Sequence, residues 1–331
     1  MRSRQIAAAL VGAMALCACG ATARAAVAAR HAPTPAVPAI VAPSPSLTPS
    51  PVPVTFGGTI SRSPGALVRF GPGLDMPAMD VDQPGRAEAF DGWFGDWLHL
   101  ADGRGWVSSG SVSGSPPAGL APMAWVPPAS LPRPTSGLLD IAIHHQEQRA
   151  TCEVAALQMA LAGLGIPSSE ASLLAMTGVD GRTPVIAAAG GIARWGDPNA
   201  SFVGDPNGSP DDHTGYGVYA APIARAATGS GASVSAAGTG IAPGAVYDAV
   251  IGGHPVVAWV TNDYRADPLS TWLAWDGAVV RYSLREHAVA VVGVTPGLVL
   301  LNDPWFGQRW HTRAEFEASY STFADMAVVF G

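Results

Sequence analysis

Cysteine is scarce in this chain: three in 331 residues, two of which, Cys17 and Cys19, fall within the first nineteen positions. If that start is removed, only Cys152 remains, and an intrachain disulfide is excluded even in a compartment that would allow one. Charge is scarce as well. Charged residues make up 13% of the chain, and the net charge of -7 contains no basic block, which argues against a nucleic-acid partner. The apolar run at the N-terminus, Ile6 to Ala18, is too short to cross a bilayer comfortably. No internal repeat divides the sequence.

Apolar residues, at 48%, suffice to bury a core, and the length admits about two domains at roughly 150 residues each. Arg2 and Arg4 followed by the apolar run have the form of an export signal. Leu16-Cys17-Ala18-Cys19 resembles a lipobox, which implies cleavage before Cys19 and diacylglycerol attachment to its thiol. Plain secretion with cleavage later, for example after Ala25, is the alternative. Residues 1–19 thus read as a lipoprotein-type signal. Residues 20–55, dominated by "HAPTPAVPAIVAPSPSLTPSPVPV", read as a Pro-rich tether, a composition that favours extended chain over a core. The location expected is extracytoplasmic, lipid-anchored to the cell membrane or secreted.

Residues 56–112 carry short apolar stretches broken by Gly and Asp, as in "AEAFDGWFGDWLHLADGRGWV". That is hairpin punctuation and predicts a small all-β unit. "VRFGPG", Trp97 and "GWV" resemble the bacterial SH3-like domain, which implies a cell-wall or other extracellular ligand; core packing of Trp93, Trp97 and Trp106 is the plainer account. A second Pro-rich stretch, 113–137, reads as an interdomain linker.

From 138 to 331 the pattern changes. Val154, Leu157, Leu161 and Leu164, spaced by three and four, predict a helix stopped by Gly165. Ser168 to Gly178 predicts a second. Residues 180–220 are rich in Gly, Pro and Asp and read as a long surface loop. A helix near 243–252 precedes the strands "PVVAWV", "VVRYSL", "HAVAVVGV" and "LVLLNDPW", and Thr312 with Glu315 forms a capping-box pattern for a terminal helix. The expected fold class is α+β.

Cys152 at a helix start suits a nucleophile, because the positive end of the helix dipole favours the thiolate. Thr151 is the expected N-cap. Among eight histidines, His287 differs by opening a strand, and a strand fixes a ring more firmly than a loop does. Asn302 or Asp303, after the next strand, could orient the imidazole. Gln146, or less aptly spaced Gln148, could donate to an oxyanion together with the Cys152 backbone N–H. Glu153, taken as exposed and screened, leaves the helix and His287 to make Cys152 substantially thiolate at neutral pH. Each residue alone also fits a structural role. "PDDH" at 210–213 could touch a cation, but the chemistry requires no metal or cofactor.

Cysteine on a helix, histidine on a strand and an acid or amide after the next strand follow the papain-like order. Gln146 with Cys152, "EHAVAVVG" and "NDPW" resemble the bacteriocin-processing cysteine peptidases of family thirty-nine, in particular the exported C39-like branch. "FVGDPNGS" and "GYGVYAAPI" are similar to that branch too. The resemblance implies a papain-like domain preceded by an SH3-like barrel, with Cys152 as nucleophile, His287 as base, Asp303 as orienting acid and Gln146 as oxyanion donor, acting on a peptide or protein. Glu153-Val154 stands where transporter-linked members usually have Gly-Pro, which puts a double-glycine specificity in doubt. A cell-wall endopeptidase is one alternative, although those usually show Asp-Cys-Ser-Gly at the nucleophile. A non-catalytic surface-binding lipoprotein on the same scaffold is another.

Overall fold

The structure is a computed structural model, and it describes residues 54–331. The signal segment, Cys19 and all of the tether before Val54 lie outside the described residues. The described residues belong to one compact unit.

Phe56–Ile60, Ala66–Arg69, Ala78–Asp82, Ala87–Phe94, Trp97–Leu100, Trp106–Ser108 and Val112–Ser113 form one antiparallel sheet. Its apolar side chains, among them Ile60, Val68, Phe90, Leu100 and Val107, close a separate core. The turn before Trp106 requires glycine at 105: φ is +141, and a Cβ there would collide with the Arg69 carbonyl. Trp106 is buried, whereas Trp93 is exposed and donates its indole N–H to the Leu120 carbonyl. Residues 113–137 have little regular structure, yet they are fastened down. Leu120 joins this core, Trp125 packs edge-on to Phe70 and Trp106, and the Thr135 N–H donates to the Ala78 carbonyl.

The remaining chain is built on an antiparallel sheet ordered Val234–Gly238, Ala327–Phe330, Val256–Thr261, Glu286–Val294, Leu298–Asp303, Gly307–Thr312. Helix α1, Cys152–Gly163, lies on one face with α2, Glu170–Thr177, and α3, Ala220–Gly229. Helices α4, Pro243–Ile251, and α5, Arg313–Tyr320, cover the other. The strand Glu286–Val294 is buried along its whole length, which explains its unbroken apolar run. The first turns of α1 are buried all round, and its alanines 155, 156 and 160 let neighbours approach closely. Ser169 and Thr312 cap α2 and α5 in reciprocal capping boxes.

Residues 180–220 are not a surface loop. They contain the strands Ile192–Trp195, Phe202–Gly204 and Gly215–Gly217, and Trp195, Phe202, Val203 and Tyr216 enter the core beside α1. The Gly, Pro and Asp of this stretch make turns between strands too short to show a period of two. A strand at Ser270–Ala274, which no sequence pattern announces, pairs with Ile192–Trp195.

Candidate active site

Alternation along Glu286–Val294 distributes its side chains over both faces. Ala288 belongs to the core beneath α1, whereas Val289 and Val291 face α4 and α5. Glu286 therefore falls on the side of Cys152, and His287 on the side of Asp303. At this end of the sheet a cleft of about 200 Å³ opens, lined among others by Gln146, Cys152, Glu286, His287, Trp305 and Phe306.

His287 Nε2 lies 2.8 Å from Asp303 Oδ1, and both residues are buried. The same oxygen accepts the backbone N–H groups of Trp305 (2.8 Å) and Phe306 (3.0 Å), while Oδ2 accepts the Tyr264 hydroxyl at 2.5 Å. Burial alone would raise the Asp303 pKa, but these donors outweigh it and hold the carboxyl at about 2. The neighbouring Asn302 is turned to the opposite face, where it donates to the Ile141 carbonyl.

Cys152 opens α1, and its backbone N–H meets no acceptor among the described residues. Thr151 holds the N-cap position without capping by its side chain; its hydroxyl instead donates to the buried Glu170. The thiol is 6% exposed, and its side-chain hydrogen bond goes to Glu153 Oε2 at 3.5 Å, with none to His287 among the described residues. Burial pushes the thiol pKa well up, and the carboxyls of Glu153 and Glu286 push it further; the Ala288 N–H opposes them.

Two expectations are thus corrected. Glu153 is fully buried rather than screened by solvent, so it works with burial to raise the thiol pKa instead of leaving the thiolate favoured. Buried beside it, Glu286 is the residue the sequence did not reveal. The chain has no lysine, and among the described residues no arginine pairs with either acid. Burial raises the pKa of both, and the charge of Glu153 raises that of Glu286 further. Glu153 Oε1 is held by the Val218 N–H, and a side chain at Gly217, whose φ is +133, would run into it.

Gln146 lines the cleft and Gln148 does not. Both hydrogens of Gln146 Nε2 are taken, by the carbonyls of Gln148 (2.8 Å) and Arg149 (2.9 Å), and Oε1 is buried without a partner. In this state the amide ties its own loop and donates nothing into the cleft. That loop is fastened to the other half of the site, because the Pro304 carbonyl accepts from the Gln146 N–H and lies 3.1 Å from His145 Nδ1. Thiol and carboxylate groups of Cys152, Glu153 and Glu286, and ligand atoms of His144, Glu147 and Glu170, cluster closely enough to surround a cation. In the second group the Glu170 carboxylate is already engaged by His144, the Glu147 N–H and Thr151. The "PDDH" stretch forms no such group among the described residues.

The model of the family described as Peptidase_C39 like matches residues 138–328. The chain belongs to this family. It shares 38% identity over 138 residues with the uncharacterized protein YvpB of Bacillus subtilis (strain 168), 40% of this chain and 52% of that one, so it spans about half of that relative. A candidate C39-like peptidase from Bacillus anthracis superposes with a TM-score of 0.51 at 24% identity, over 59% of this chain and 97% of the other. At that identity the match speaks for the fold. A papain-like hydrolase is what membership of the C39-like family suggests.

Proposed function

We propose that this C39-like protein is an exported thiol hydrolase that opens a peptide or amide bond at Cys152. The observation that carries the reading is the His287 Nε2–Asp303 Oδ1 contact of 2.8 Å in the cleft that Cys152 also lines. With Nε2 bound to Asp303, Nδ1 is the nitrogen left to exchange a proton with the thiol. His287 takes the thiol proton as sulfur attacks the carbonyl carbon, and the Cys152 backbone N–H receives the developing oxyanion. Gln146 Nε2 joins as second donor once it releases one loop carbonyl. Collapse of the tetrahedral species expels the amine, which takes the proton from His287. Water, deprotonated by His287, then hydrolyses the thioester and restores the thiol.

Trp305, 54% exposed, and Phe306 stand on one lip of the cleft and suit an apolar side chain of a peptide. A second reading, a non-catalytic binding protein, draws on the buried thiol and the tied Gln146 amide. A thiol-directed acylating probe separates the two. Labelling confined to Cys152 and lost in His287→Ala fits the hydrolase. Labelling no faster than with a buried thiol, and unchanged in His287→Ala, leaves the binding protein.

We propose two further roles outside the cleft. Residues 56–112 act as an SH3-like module for a cell-wall or extracellular ligand, and a cell-wall peptide is then a candidate substrate. Cys19 carries lipid; Cys19→Ser should release the protein from membranes, and unchanged fractionation and processing would refute it.

A further inference from the structure

Tyr264 occupies a backbone conformation that its side chain does not favour. Its φ is +57, in the left-handed region usually held by Gly, Asn or Asp and rarely by an aromatic residue. A turn enforces it: the Tyr264 N–H donates to the Thr261 carbonyl, and the Thr261 hydroxyl both accepts the Arg265 N–H and donates to the Arg265 carbonyl. Such outliers persist where the surroundings over-determine them, often next to functional groups.

What this turn achieves is the delivery of one hydroxyl. Tyr264 Oη–H donates to Asp303 Oδ2 at 2.5 Å. The Asp303 carboxylate is 1% exposed, and its other oxygen is occupied by His287 and two backbone N–H groups. Without Tyr264, Oδ2 would be a buried anionic oxygen lacking a donor among the described residues, and the carboxylate would be free to turn its charge toward the imidazole. The ring is gripped from behind as well. His311 stacks on it, with centroids 3.9 Å apart and planes at 28°, and its Nε2 is buried without a partner. Asp303 and His311 lie on paired strands of one hairpin, so the hairpin holds Tyr264 at both hydroxyl and ring.

We propose that Tyr264 is a positioning residue for His287: by holding Asp303 Oδ2 it assigns Oδ1 to the imidazole, fixing the plane of the ring and the tautomer with its proton on Nε2. The proposal rests on the hydrolase reading above. Charge is shared between the two donors of one carboxylate, so strengthening the phenol donor weakens the hold on the imidazole N–H, and removing it has the opposite effect.

The test uses full-length protein labelled with 15N-histidine. The His287 Nε2–H resonance is identified by its loss in His287→Ala. Tyr264→Phe keeps the ring and the stack but removes the donor, and should move this resonance downfield. Fluorotyrosine at position 264 keeps the fold and makes the phenol more acidic, and should move it upfield. Peptide-resolved alkylation of Cys152 by iodoacetamide should slow about tenfold in Tyr264→Phe, as expected for loss of one orienting hydrogen bond. If the resonance is unmoved by both substitutions, or both move it in the same direction, Tyr264 serves only packing and the proposal fails. If the shifts are as described but Cys152 alkylates at the same rate in wild type and His287→Ala, the pairing stands as structure and the hydrolase reading is what fails.

Discussion

Two opposing influences meet at Cys152. The N-terminus of α1 and the Ala288 N–H favour the thiolate, while burial and two buried carboxyls oppose it, and the opposition wins. Glu286→Gln keeps the shape and removes one charge, so Cys152 should alkylate at a lower pH than in the wild type; a peptide-resolved iodoacetamide profile that stays in place would contradict this. The same pair sets a stability trend. A carboxyl whose folded pKa is raised contributes stability fully below its unfolded value and loses it as pH rises toward the folded one. Thermal unfolding should therefore occur at progressively lower temperature as pH rises above about 4.3, more steeply than in Glu286→Gln. Asp303 works in the opposite sense: its depressed pKa stabilises the fold above the ordinary carboxyl range, and that part disappears as pH falls toward about 2.

At the scale of elements, local chemistry was readable and cross-chain chemistry was not. Thr312 with Glu315 announces α5 because both halves of the capping box lie within one turn. Thr312→Ala should lower stability by about 1 kcal/mol, measured by denaturant unfolding. The spacing around Cys152 announces α1, and Leu157, wholly buried, should cost about 2–5 kcal/mol as Leu157→Ala. The nearness of His287 to Asp303 was legible because a tight turn joins their strands. Glu286 was not, because a glutamate at a strand start is ordinarily solvated; only its packing against α1 makes it buried. Tyr264 reaches Asp303 across 39 residues of sequence, and no spacing rule marks it. Gln146 was singled out by its distance from Cys152, but spacing says nothing of the two carbonyls that hold its amide.

For the whole molecule, the N-terminal sheet closes its own core. Its ties to the rest include the Thr135 N–H to Ala78 bond and the ion pair of Arg62 with Asp140, 3.7 Å apart and well exposed, which contributes little. A fragment of residues 136–331 should therefore fold alone, with native-like circular dichroism and one cooperative transition. A molten product would show that the N-terminal sheet is part of the same folding unit.

The fastening of the Gln146 loop to the Pro304 carbonyl has a consequence in time. Everything that surrounds Cys152 on its far side, from Glu286 to Phe306, is made more than 130 residues later. Contacts so distant in sequence form late, since a long loop must close first. A growing or truncated chain that ends before Glu286 therefore presents Cys152 as an ordinary solvent-facing thiol, open to oxidation and to coupling with a second chain. Completion of the last strands is what shelters it.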